Sequence, residues 1–301
     1  MVQIVDTTLR DGEQRAGIAL NVSDKVMIAK MLDYIGVNQI EAGTPVMGGS
    51  ERKAIESIVG LRLHSKISAW NRMQIKDIEA SIACGVDIVH ISVPSSDLHI
   101  SQKLNQTRNW VLDRMKMCIE FAVSHQKTVH IGLEDASRAE MEFLLKISEA
   151  AQKAGAKRIR YADTVGILNP SKAYEDLHRL TNAVNTEWGI HAHNDFGMAV
   201  ANSLAAIHAG VRYVDCTVGG VGERAGNCNV KYLLTALRQT GYSTNVNVGS
   251  EDTRMSEEDK GVCGEEKSIE AVCRRLTDAE EEILNIFYNR FPNSSKTFSF
   301  A

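Results

Sequence analysis

The segment Gly189–Gly210, GIHAHNDFGMAVANSLAAIHAG, holds one complete repeat unit of the fold. A β-rich run, Gly189–His193, enters a polar turn, and MAVANSLAAIHAG then keeps apolar residues at helical spacing until Gly210 stops it. The same unit recurs along the whole chain. Strands are predicted at Val2–Asp6, Asn38–Ala42, Lys66–Trp70, Asp87–Val93, Thr128–Leu133, Arg158–Ala162, Gly189–His193 and Tyr213–Thr217. Most are rich in Ile and Val without clean alternation, as expected of strands buried on both faces of a parallel sheet. Between them lie amphipathic runs. VSDKVMIAKMLDYIG takes Ser23 as its N-cap and ends at Gly36, AEMEFLLKISEAAQKAG ends at Gly155, and NPSKAYEDLHRLTNAV carries Pro170 just inside its start. Strand and helix alternate about every 30 residues, which predicts an α/β fold, a (β/α)8 TIM barrel. A doubly wound open sheet is the competing architecture, but eight repeats favour closure.

Composition narrows the function classes. The chain has 301 residues, 44% hydrophobic and 24% charged, with a net charge of −4. This argues against nucleic acid or another polyanion as partner. The six cysteines form no C-x-x-C pair, which fits reduced, buried thiols in a cytoplasmic protein. MVQIVDTTLR enters a strand at once without a signal-peptide pattern, and no apolar stretch is long enough to span a bilayer. After Tyr242 the pattern changes: STNVNVGSEDTRMSEEDKGVCGEEK is polar, acidic and aperiodic. A final helix is expected behind the capping box Thr277-x-x-Glu280, with Ile283, Leu284, Ile286 and Phe287 as its apolar stripe. The chain therefore divides into a barrel, 1–242, and an acidic linker with a terminal helix, 243–301.

In such a barrel, catalytic groups lie at the C-terminal ends of the strands. Four unusual polar clusters fall there: DTTLRDGEQ (Asp6–Gln14), ADTVG (Ala162–Gly166), HAHND (His191–Asp195) and GGVGERAGN (Gly219–Asn227). His191 and His193, two apart on a strand, project to one face and suit a single cation. Asp11 supplies the negative charge and Asn227 a neutral oxygen. The alternative is a pair of histidines that hydrogen-bond locally at the strand end, with Asn194 and Asp195 bracing the loop and capping the next helix. Arg10 beside such a cation suits an enolate or alkoxide oxygen, or else closes the barrel mouth as a buried ion pair. Gly220, Gly222 and Gly226 have the wrong spacing and the wrong strand for a dinucleotide site, and fit close backbone approach instead.

DTTLRDGEQRAG, HAHND with the following GMAVAN, and GGVGERAGN together resemble the DRE-TIM metallolyase superfamily, in its 2-isopropylmalate/homocitrate synthase branch. The resemblance covers about residues 2–240. AWNR (Ala69–Arg72), EDASRA (Glu134–Ala139) and Ala16 in place of a common proline look most like the nitrogen-fixation type of homocitrate synthase. The resemblance implies a Claisen condensation of acetyl-CoA with 2-oxoglutarate, followed by thioester hydrolysis. It implies a divalent cation (Mg2+, Mn2+ or Zn2+) on Asp11, His191 and His193, with Arg10 stabilising the oxyanion. It also implies substrate contacts from Gln14, Glu41 and Thr164, and a homodimer. Glu134, at the end of strand five, is the candidate base or base-positioning group, its alternative being an acidic helix-start residue.

Two departures stand out. Lysine-pathway relatives grip the distal carboxylate of 2-oxoglutarate with an arginine on strand five. His130 matches that position here, leaving Arg72 as the candidate replacement. Relatives also continue into a subdomain with an HESGIH-like segment, and nothing like it follows Tyr242. Three alternatives stay open: isopropylmalate, citramalate or (Re)-citrate synthesis from another 2-oxo acid, a barrel subunit needing a separate C-terminal partner, and a non-catalytic subunit.

Overall fold

The structure, a computed structural model, describes residues 1–244, 246 and 278–286. Its strands are β1 (Gln3–Asp6), β2 (Gln39–Glu41), β3 (Lys66–Arg72), β4 (Ile88–Pro94), β5 (Thr128–Glu134), β6 (Arg158–Asp163), β7 (Glu187–Ala192) and β8 (Tyr213–Cys216). They pair in chain order, all parallel, and β8 closes on β1. The connecting helices are α1 (Val22–Tyr34), α2 (Gly49–Gly60), α3 (Ile75–Ala83), α4 (Arg108–Ser124), α5 (Met141–Ala154), α6 (Pro170–Ala183), α7 (Ala199–His208) and α8 (Val230–Gln239). This is the predicted TIM barrel.

Local chemistry explains most boundaries. Gly155 ends α5 in the left-handed region, where a side chain would be strained. Asn169 caps α6 ahead of Pro170. One boundary is corrected: the cap of α1 is Asn21, not Ser23. Asn21 accepts from Asp24 N–H while the Asp24 carboxylate accepts from Asn21 N–H, and the Ser23 hydroxyl donates to the Asn21 side chain at 2.6 Å. A reciprocal pair satisfies two orphan donors where Ser23 would satisfy one.

The strands are buried on both faces, but the two faces differ in chemistry. Ile40, Val89, Ile91, Val129, Ile131, Leu133, Ile159, Ile190 and Val214 are buried and belong to the apolar core. The opposite face is charged. Arg158 on β6 reaches across the barrel axis to donate to Gln39 on β2 at 2.8 Å, and Arg160 donates to Glu41 at 3.1 Å. A barrel interior is ordinarily filled by bulky branched side chains. Here ionised and amide groups take that role, and space for them is made on β5. A Cβ on Gly132 would lie 2.5 Å from His90 Nε2 and 3.6 Å from Arg160 Nε.

The helix over residues 278–286 seats Ile283, fully buried, with Ala279 against Ile35, Val218 and Val230. Glu280 pairs with Lys231 at 3.3 Å. Leu284 and Ile286 are half-buried, whereas Thr277 and Phe287 of the predicted box and stripe lie outside the described residues. Among the described residues, no helix is long and apolar enough to cross a membrane.

The end of β1 is pinned by Asp6, whose carboxylate accepts from Thr8 N–H at 2.8 Å and Thr8 Oγ1 at 3.0 Å. Thr8 Oγ1 in turn accepts from Val218 N–H at 2.9 Å, tying the first and last strands together. Burial outweighs the Thr8 bonds and pushes the Asp6 carboxyl up to about 7. With the folded value above the unfolded one, the associated stability is full below about pH 4 and is lost as pH rises through about 7. Asp6→Asn cannot ionise. Its stability relative to the parent chain is therefore expected to improve by about 2 kcal/mol between pH 5 and 7, read from urea unfolding at each pH.

Candidate active site

The C-terminal ends of β1, β7 and β8 bring the four predicted ligands together. Residues Thr8–Gly12 leave β1 as a tight turn, with Arg10, Asp11 and Gly12 all donating N–H to Thr7 O. That turn removes the strand alternation that would have sent Arg10 and Asp11 to opposite faces. Arg10 Nη1 instead lies 3.0 Å from Asp11 Oδ2. One ligand atom each from Asp11, His191 and His193 falls within 4.8 Å of the others, and all three residues are buried.

Hydrogen bonding fixes the orientation of both histidine rings. His191 Nδ1 lies 3.0 Å from Asp215 Oδ2, and His193 Nδ1 lies 3.0 Å from the Asp163 carbonyl. Each Nδ1–H donates backwards, which turns each Nε2 towards Asp11 Oδ2, at 3.3 Å and 3.8 Å. Burial pulls His191 downwards, but the Asp11 and Asp215 carboxylates hold it above its ordinary value. Burial likewise opposes ionisation of Asp11, yet Arg10 and the two histidines hold it well below the carboxylate range.

Asn227 completes the arrangement. Its amide N–H donates to Asp11 Oδ1 at 2.9 Å and to Val221 O at 3.0 Å, while its buried Oδ1 has no hydrogen-bond partner. His193 Nε2 is the second buried atom without a partner here. Two orphaned acceptors beside an ionised carboxylate are a poor end state for a buried site. They are the donor set of an oxygen-plus-imidazole cation shell, so the residues fit a divalent metal. The glycines of the last loop act as predicted: a Cβ on Gly222 would strike Asn227 Nδ2, and one on Gly226 would strike Gly220 O.

The remaining predicted residues separate into groups. Glu41 is fully buried with both oxygens engaged, Oε1 by Arg10 Nε at 2.6 Å and Oε2 by Arg160. It is a holder of Arg10, and not an open wall of a pocket. Thr164 Oγ1 accepts from Asp135 N–H at 2.8 Å, leaving its hydroxyl proton free to donate. Gln14 is exposed in the turn after Asp11. Glu134 meets Lys103 Nζ at 2.9 Å, Ser92 Oγ at 3.4 Å and His99 Nδ1 at 3.4 Å, and it makes no bond to the Arg10–Asp11 network. Arg72 is placed elsewhere: its side chain is 61% exposed and forks onto Asp77 at 2.7 and 2.9 Å. Asp77, buried in the first turn of α3, supplies the anion that draws Arg72 off the cluster. Asn194 accepts from Ala199 N–H at the start of α7, as expected. Asp195 does not cap; it takes a fork from Arg224 at 2.9 Å, and Arg224 also donates to Thr164 O at 3.0 Å.

Arg160, Asp215 and His90 were not singled out from the sequence, yet they form the floor of this site. Arg160 pairs with Asp215 as well as with Glu41, and its Nη2 lies 2.7 Å from His90 Nε2. The signal available was a charged or imidazole side chain at an inward position of an otherwise apolar strand, as in RIRYAD and IVHISVP.

Residues 1–254 match the HMGL-like family. The chain is 52% identical over 241 residues to homocitrate synthase subunit alpha of Clostridium pasteurianum, covering 80% of this chain and 90% of that subunit. It is 47% identical over 256 residues to 2-isopropylmalate synthase 2 of Caldanaerobacter subterraneus, covering 85% of this chain but only 66% of that enzyme. The structure resembles the HMG-CoA lyase of Bacillus subtilis with a TM-score of 0.74 at 21% identity, over 94% of this chain and 93% of that one. The chain belongs to the HMGL-like family.

The Gly222 contact has a direct consequence. Gly222→Ala forces Asn227 away from Asp11, and is expected to cost roughly 1–3 kcal/mol of stability in thermal or urea unfolding. A variant as stable as the parent would show that the loop relaxes freely.

Proposed function

We propose, on the premise of that family membership, that the chain is the catalytic barrel of a homocitrate synthase, condensing acetyl-CoA with 2-oxoglutarate and hydrolysing the thioester to release CoA. The reaction class is that of an acyltransferase whose acyl group becomes an alkyl group on transfer. The observation that carries the reading is the convergence of Arg10, Asp11, His191, His193 and Asn227 from three strand ends into one buried cluster with unpartnered acceptors.

Asp11, His191 and His193, with Asn227 Oδ1, are the residues that would hold a divalent cation. When bound, that cation supplies Lewis-acid polarisation of the keto group. Mg2+, Mn2+ and Zn2+ all suit such a shell. Arg10, kept cationic by Glu41 and Asp11, places guanidinium N–H groups where the keto oxygen gathers charge. Glu134 takes the proton from the acetyl methyl group or positions the group that does, with Ser92 and Lys103 fixing its carboxylate. The Thr164 hydroxyl donates to the keto-acid carboxylate, and Gln14 borders the pocket. Residues 243–301 form the tail to a barrel ending at 242, in a cytoplasmic enzyme that assembles as a dimer.

A second reading has its own support. The subunit from Clostridium pasteurianum, matched over 90% of its length, is named as one subunit of a synthase. The barrel would then work with a separate C-terminal partner.

CoA release from acetyl-CoA with 2-oxoglutarate, pyruvate, oxaloacetate and 2-oxoisovalerate, with and without Mn2+, tests the assignment. 2-Oxoglutarate is expected to give the highest kcat/KM; equal or better turnover of another acid would overturn it. Arg10→Gln is expected to lower kcat about 100-fold, since one oxyanion donor contributes roughly 3 kcal/mol. Mn2+ at 100 times its Kd should stabilise the chain by about 2.7 kcal/mol in thermal unfolding, and His193→Ala should abolish that gain.

A further inference from the structure

Arg160 lies in none of the polar clusters that end the strands, yet its side chain is only 8% exposed and touches both arms of the site. Nη1 donates to Glu41 Oε2 at 3.1 Å, and the other oxygen of that carboxylate takes Arg10 Nε at 2.6 Å. The same Nη1 donates to Asp215 Oδ2, which also accepts from His191 Nδ1 at 3.0 Å. Nη2 donates to His90 Nε2 at 2.7 Å. Burial, reinforced by Arg160, holds the His90 imidazole well below its ordinary value, so it accepts as the neutral ring. Gly132 presents no Cβ, and the His90 ring occupies the space this leaves, with Arg160 Nε beside it.

We infer that Arg160 is a positioning residue that holds Arg10 and His191 in register through two carboxylates, Glu41 and Asp215. This rests on the reading that Arg10 and His191 act on the keto acid and the cation. The physical argument is one of charge and shape. Glu41 and Asp215 are fully or almost fully buried and share Arg160 Nη1, so without a cation between them the two carboxylates repel and turn apart. His191 would lose the acceptor that fixes its ring, and Arg10 would move with Glu41. A planar fork satisfies two anions and an imidazole at set angles, which a lysine ammonium on a flexible stem does not. Glu41→Gln disturbs one arm, Asp215→Asn the other, and Arg160→Lys both, while keeping the charge.

The test uses the full chain and two separate readouts: Mn2+ affinity by calorimetry without substrate, and kcat and KM for CoA release at saturating Mn2+. Asp215→Asn is expected to weaken Mn2+ binding about 10–100-fold, the usual cost of losing a carboxylate behind a ligating histidine. Glu41→Gln is expected to lower kcat on the order of 10-fold or more with Mn2+ affinity held. Arg160→Lys is expected to show both losses while circular dichroism and the melting curve report a folded chain. A folded Arg160→Lys that loses neither property, or only one, overturns the inference. Should that variant not fold, the single-arm variants decide: parental Mn2+ affinity in Asp215→Asn or parental kcat in Glu41→Gln overturns it. A parent chain that neither binds Mn2+ nor releases CoA overturns the functional reading and this inference together. An active parent with an unaffected Arg160→Lys overturns this inference alone.

Discussion

Ionised side chains inside a closed barrel must be neutralised across its axis, because water cannot reach them. That constraint organises this molecule. Asp11, Glu41 and Asp215 are buried carboxylates, Arg10 and Arg160 are the guanidinium groups among them, and each carboxylate is held in its ionised form by a neighbour: Asp11 by the adjacent Arg10, Glu41 by Arg10 and Arg160, and Asp215 by Arg160. Removing one partner from such a set leaves an uncompensated charge in a low-dielectric interior, which costs far more than the pair contributes. The interior is therefore a poor hydrophobic core but a rigid one, and the apolar packing that stabilises the fold sits between sheet and helices.

The site inherits this rigidity. Both histidines of the candidate cluster donate Nδ1–H to fixed acceptors, so both Nε2 atoms point the same way, towards Asp11. Asp11 and Asn227 are cross-linked across the junction of the first and last strands, where Thr8 also receives the Val218 N–H. A donor set assembled in advance needs little rearrangement on binding, which is the condition under which charge stabilisation is effective.

The architecture was legible in the sequence because each strand–helix unit carries its own punctuation: a polar strand end, an amphipathic run and a glycine or capped stop. The Asn21 cap was misplaced by two residues because Ser23 is an equally good cap in isolation, and only the reciprocal Asp24 contact distinguishes them. Asp11, His191, His193 and Asn227 were legible because their motifs fall at strand ends that a barrel brings to one face. Arg160, Asp215 and His90 were not, since a charged or imidazole residue in an apolar strand marks an inward position but not its partners, which strand stagger fixes across the barrel. Arg72 misled for the opposite reason: it ends a strand as a site residue would, but Asp77, five residues on, offers a nearer anion.

Gly132 gives the barrel an order in which it can change. Any side chain on β5 at this position would collide with the ring of His90, itself hydrogen-bonded to Arg160. Substitution at 132 is thus contingent on a change at 90, and a loss at 90 strips Arg160 of an acceptor. Filling the space at 132 requires the ring at 90 to shift or be replaced, and either change alters the hydrogen bonding of Arg160 at the centre of the barrel.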